Sequence, residues 1–76
     1  MIIIQYDQKA DALYIKFGGG RVVDSLEVND GIIIDFDEDG SIIGIEIINF
    51  SKRGINLNEL LKLSKDEIVP ALATHK

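Results

Sequence analysis

Seventy-six residues, no cysteine, one histidine and thirteen acidic side chains against eight basic ones (net charge −5) describe one small acidic domain. This composition excludes disulfides, iron–sulfur clusters and thiolate zinc sites, leaves His75 alone as no basis for a histidine metal site, and disfavours binding to nucleic acid or anionic membranes. A chain of this size buries only about 60–65% of its unfolded surface, so self-association, as a homodimer or larger, is the expected supplement to its core.

The chain opens with Ile2, Ile4 and Tyr6 on one face of a first strand. Asp7 comes next without a basic start or a cleavage pattern, so the segment reads as a strand rather than a signal peptide, and the expected location is the cytoplasm. Residues 7–11 turn the chain into a second strand in which Leu13, Ile15 and Phe17 alternate inward and Ala12, Tyr14 and Lys16 outward. Gly18, Gly19 and Gly20 break that pattern, and a third strand runs over about residues 22–28.

Residues 31–48 hold eight isoleucines in two runs joined through Asp37, Glu38, Asp39 and Gly40, a strong hairpin signal because both Asp39 and Gly40 tolerate positive φ. Slipping a strand by one residue would exchange its faces. A two-residue turn at Asp39 and Gly40 makes one apolar face by setting Phe36 opposite Ile43, Ile34 opposite Ile45 and Ile32 opposite Ile47. A three-residue loop there would bring Gly44 and Glu46 among the isoleucines and is rejected. At Asn29, Asp30 and Gly31 the same test favours a three-residue loop with Gly31 left-handed, Leu26 opposite Ile34 and Val28 opposite Ile32.

Beyond Ile48 the period changes. Asn56 with Glu59, and Ser64 with Glu67, are helix-start signals, and Leu57, Leu60, Leu61 and Leu63 form a short apolar stripe. Pro70 limits any further helix. The expected fold is α+β, mainly β: a five-stranded antiparallel meander with a short C-terminal helix, one domain over residues 1–69, and a disordered tail over 70–76. The longest uncharged apolar runs, residues 41–45 and 68–74, are far too short to span a bilayer.

The ordered combination of Tyr6-Asp7, the run Ala10 to Ile15, Gly31 to Asp35, Asp39-Gly40 and Ile43 to Ile47 resembles the small prokaryotic family known as domain of unknown function 2283 (DUF2283). The resemblance covers residues 3–50. It implies a compact β-rich domain with no established activity, substrate or cofactor, and an antitoxin-like or accessory role beside small toxin-like proteins.

The register carries chemistry onto the other face of the sheet. Glu27 and Glu46 flank Ile33, and Asp35 is next on the same face opposite Ser25 and Gly44, so three carboxylates from three strands come within about 5–8 Å between Cβ atoms. Such a cluster can take Mg²⁺ or Ca²⁺, act in acid–base chemistry, or receive arginines from a partner. The ordinary alternative is a solvated face whose charges oppose aggregation. Tyr14, outward on its strand, can anchor a partner or simply pack across a neighbouring strand.

Other motifs reduce to local structure. Asp37 to Gly40 lies between strands and lacks the twelve-residue frame of an EF-hand. Gly18 to Arg21 leads into Val22 and Val23, not into the helix a phosphate-binding loop requires. Ser25, Ser41, Ser51 and Ser64 have no histidine positioned to activate them. An enzyme is therefore not expected, and no cofactor. The leading expectation is a cytoplasmic protein-interaction module for a small basic protein, engaged through the acidic face (Glu27, Asp35 and Glu46, with Tyr14) or through an exposed strand edge. The alternative is a divalent-metal or small-ligand domain using the same three carboxylates.

Overall fold

Apolar alternation in the first half of the chain builds one sheet. The computed structural model describes residues 2–74, so His75 and the last part of the expected tail lie outside the described residues. Strands β1 (Ile3–Asp7), β2 (Ala12–Lys16), β3 (Asp24–Asn29), β4 (Ile32–Phe36) and β5 (Ile42–Ile48) are followed by a 3₁₀ turn at Phe50–Lys52 and two helices, α1 (Leu57–Leu60) and α2 (Lys65–Ala73). Every pairing is antiparallel, so the class is the expected one, mainly β within α+β.

The strand order, β1-β2-β5-β4-β3, is not that of a simple meander. A hairpin, β1–β2, is joined to a three-stranded meander, β3–β5, through the β2–β5 pair. The physical reason lies in composition. β5 carries buried residues on both sides of its backbone (Ile43, Gly44, Ile45 and Ile47) and suits the centre of the sheet. β3, with Asp24, Ser25 and Glu27, suits an edge.

Registers at the heart of the sheet are those the parity argument gives: Ile34 opposite Ile45, Ile32 opposite Ile47, Leu26 opposite Ile34 and Glu27 opposite Ile33. The turns reach them differently. Asp37 N–H donates to Ser41 O and Gly40 N–H to Asp37 O, each at 3.0 Å, closing the three-residue loop that the sequence argument rejected. A bulge restores the register: Phe36 faces Ile42 while Asp35 faces Gly44, leaving Ile43 as the extra residue. At the other turn Val28 is the extra residue, so Asn29 rather than Val28 faces Ile32. Parity arguments assume unbroken ladders, and each bulge shifts parity by one.

The core forms on one face only. Leu13, Ile15, Ile32, Ile34, Ile45 and Ile47 meet Leu60 of α1 and Ile68 and Leu72 of α2 in a single buried cluster. The helices therefore cover the apolar face and leave the face bearing Tyr14 and Asp35 open. Fully burying side chains of this size contributes about 1.5–3 kcal/mol each.

Both helix starts behave as their sequences indicate. Asn56 Oδ1 accepts from Glu59 N–H at 3.1 Å, and the Glu67 carboxylate accepts from Ser64 N–H at 2.9 Å. Order does not stop at Pro70, however. α2 continues to Ala73, Leu72 is only 2% exposed, and its carbonyl accepts from Asn29 Nδ2 at 3.3 Å. Proline in a helix interior removes one backbone bond and crowds the preceding turn. Burial of Leu72 one residue before the helix's end offsets that cost.

Candidate functional site

The open face is organised around one side chain lying across a gap. Tyr14 on β2 faces Glu46 on β5, and Lys16 faces Gly44. Gly44 has no side chain to occupy the surface, and the Tyr14 ring lies there: a Cβ added at Gly44 would collide with the phenol hydroxyl and meet the ring carbon bearing it at 2.8 Å. Over this gap the Tyr14 hydroxyl donates to Asp35 Oδ2 on β4 at 3.1 Å. Asp35 Oδ1 accepts from Ser25 Oγ on β3 at 2.6 Å. A continuous polar line therefore crosses four strands, β2 to β3. Burial and the carboxylate of Asp35 raise the Tyr14 pKa above its ordinary value, and Glu46 adds to the effect.

The three carboxylates share this face without converging. Asp35 is engaged by Tyr14 and Ser25, whereas Glu27 Oε2 turns to the neighbouring bend and accepts from Gly31 N–H at 2.9 Å. Glu46 stands beside Tyr14 and Ile33. Among the described residues, no group of three His, Cys, Asp or Glu side chains could hold a metal ion. The metal reading of Glu27, Asp35 and Glu46 thus has no geometric support. What the face offers is a half-buried tyrosine framed by separate negative charges, with Ile33 and Ile48 partly exposed nearby.

Sequence reasoning placed Tyr14, Asp35, Glu27 and Glu46 on this face and missed the bond that links the first two. The signal was available. A glycine in a central, isoleucine-rich strand marks a place where something approaches the backbone closely. Ser25 was recognised as Asp35's neighbour but not as its donor.

Two further polar clusters fix the fold around the site. Asp11, at φ 51°, ties the first hairpin to the 3₁₀ turn. Its carboxylate accepts from the Tyr6 hydroxyl at 2.6 Å, from Ser51 Oγ at 2.7 Å and from Ser51 N–H at 3.1 Å. These bonds, that of Tyr6 first, hold the Asp11 carboxyl below its usual range. Tyr6 also meets Phe50 edge to face, with ring centroids 6.2 Å apart. At the same end of the sheet, on the other side of β5, Arg53 donates from Nε to Ile48 O and from Nη2 to Asp30 O, both at 2.6 Å, so its guanidinium lies over Gly31.

A cavity of ≈ 290 Å³ lies between the helices, lined in part by Ile55, Leu60, Leu63 and Leu72. It is at the lower limit for a small-molecule site. No helix among the described residues is long and apolar enough to cross a membrane.

The family model described as "Protein of unknown function (DUF2283)" matches residues 3–51, which takes in all five strands, Tyr14, Asp35 and the Asp11 cluster. The chain belongs to this family. The chain is also similar to an uncharacterized protein of Methanocaldococcus jannaschii, MJ0789: 42% identical over 60 residues, 78% of this chain and 51% of that protein. The chain thus spans about half the length of this curated relative. No solved structure matches the chain. Neither name states an activity, so the antitoxin-like role that the family resemblance implied draws no support from them.

Proposed function

We propose that this DUF2283 domain is a protein-interaction module, and that its docking surface for a small basic protein is the open sheet face centred on Tyr14. One observation carries the reading. Both helices pack on the opposite face, leaving Tyr14 half-buried across Gly44 with Asp35, Glu46 and Glu27 around it. An aromatic side chain held in place by a hydrogen bond offers contact area at little entropic cost, and carboxylates at the rim favour arginine. The net charge of −5 steers a basic partner towards the domain. The proposed setting is the cytoplasm.

The test is capture from a lysate of the native host with tagged protein, compared with a Glu27→Ala/Asp35→Asn/Glu46→Ala variant. Asparagine at position 35 keeps one acceptor oxygen for the Tyr14 or the Ser25 hydroxyl and can donate its NH2 to the oxygen of the other, while losing the charge, so the sheet should hold. A stoichiometric basic partner retained by the parent and lost by the variant is expected. Capture that is equal for the two proteins, or no basic partner at any salt concentration, would refute the face.

A further inference from the structure

We propose that this chain forms a two-fold dimer by antiparallel pairing of β1 with β1 of a second copy, centred on Ile4. Two edges of the sheet are available, and their chemistry separates them. All five residues of β1 are exposed, and Ile2, Ile3, Ile4 and Tyr6 are 39–48% exposed although three of them continue the core side of the sheet. Exposed strand edges carry unpaired N–H and C=O groups that template pairing with another strand, and proteins ordinarily blunt them with charge, proline or a bulge. β1 has no proline, no bulge and no lysine or arginine; its single charge, Asp7, caps the following bend through Lys9 N–H at 3.0 Å and Ala10 N–H at 3.2 Å. β3, at the other edge, carries Asp24 and Glu27 and a bulge. Like charges brought opposite one another destabilise a strand pair, so β3 is protected from a second copy of itself and β1 is not.

The backbone limits the register to pairings among the residues whose N–H and C=O groups point outward. Phe17 N–H donates to Ile43 O on β5, so by the alternation of antiparallel ladders the odd-numbered residues of β2 bond towards β5 and the even-numbered ones towards β1. Lys16, Tyr14 and Ala12 face Ile3, Gln5 and Asp7, which leaves Ile4 and Tyr6 with backbone groups directed outward. Two outward-directed sets meet when Ile4 opposes Ile4 of the second copy and Ile2 opposes Tyr6, with Ile3 opposite Gln5 between them. No charged pair falls within that ladder. The apolar side chains of both copies then share one side of a continuous ten-stranded sheet, which extends the core face across the two-fold axis. The edge is already rigid, because Tyr6 is held by Asp11 and Phe50.

Sedimentation equilibrium tests this. The parent should run at twice the 8.4 kDa chain mass. Ile4→Lys places two ammonium groups on the axis and should give a monomer with an unchanged circular dichroism spectrum, while Leu26→Lys on β3 should stay dimeric. Should Ile4→Lys fail to fold, Ile4→Cys serves instead. A hydrogen-bonded antiparallel pair sets its Cα atoms about 5.5 Å apart, within disulfide range, so oxidation should crosslink it, whereas Leu26→Cys should not crosslink. A monomeric parent, a dimeric Ile4→Lys variant, open-ended assembly, or crosslinking of Leu26→Cys but not of Ile4→Cys would overturn the proposal.

Discussion

Gly31 and Gly40 are both left-handed, with φ of 75° and 80°, yet they are not equivalent. Nothing lies within 4 Å of a Cβ built on Gly40, whereas one on Gly31 would strike the Arg53 guanidinium. Gly40→Ala should therefore cost only the conformational penalty of about 1–2 kcal/mol. Gly31→Ala should cost that and, in addition, the Arg53 bonds to Ile48 and Asp30, about 0.5–1.5 kcal/mol each. Urea unfolding of the two variants checks the order, and equal midpoints would show that Arg53 can move aside freely. Asp11 allows a second test. Its carboxyl is held below the unfolded value by Tyr6 and Ser51, so it contributes stability that is present above the usual aspartate range and lost as pH falls through the native value. Asp11→Asn tolerates the left-handed backbone and should flatten the fall of melting temperature below about pH 4. A variant whose acid limb matches the parent's would dissociate Asp11 from acid stability.

At the scale of elements, α2 shows what sequence reasoning could and could not supply. Its start was legible in Ser64 and Glu67, since a capping box is a local signal. Its continuation past Pro70 was not, because that depends on Leu72 finding the sheet. The distant partners, β3 and β4, cannot be read from residues 70–73. A chain ending at Val69 would lose Leu72 and its bond to Asn29. Removing a buried leucine costs about 2–5 kcal/mol, a large share of what a domain this small possesses. The truncated protein should melt far lower or without cooperativity by circular dichroism, and an unaltered transition would make α2 an accessory rather than part of the core. The sheet's registers were legible for the complementary reason: period-two patterning constrains many residues at once. The bulges at Ile43 and Val28 escaped because a single inserted residue alters parity without altering composition.

For the whole molecule, the open face was foreseen in its membership and not in its wiring. Parity alone set Glu27, Asp35 and Glu46 on one surface. Only three-dimensional packing could show that the Tyr14 ring reaches across Gly44 while Glu27 turns away to Gly31. The strand order was the least legible feature, since a meander and the observed arrangement have identical local patterns and differ only in whether β2 meets β3 or β5.

That order has a kinetic corollary. The β1–β2 hairpin and the β3–β5 meander each close over short stretches of chain, while β2 meets β5 only across 27 or more intervening residues, Lys16 to Gly44 at the nearest. Assembly is then a docking of two locally formed pieces, and the search for that single distant contact sets the pace of folding. The tether between the pieces runs through Gly18, Gly19 and Gly20, and a side chain at Gly19 would meet nothing within 4 Å. Because loop closure grows only logarithmically, by about 0.6 kcal/mol for each doubling, the tether can lengthen or diverge in evolution with little penalty to either piece.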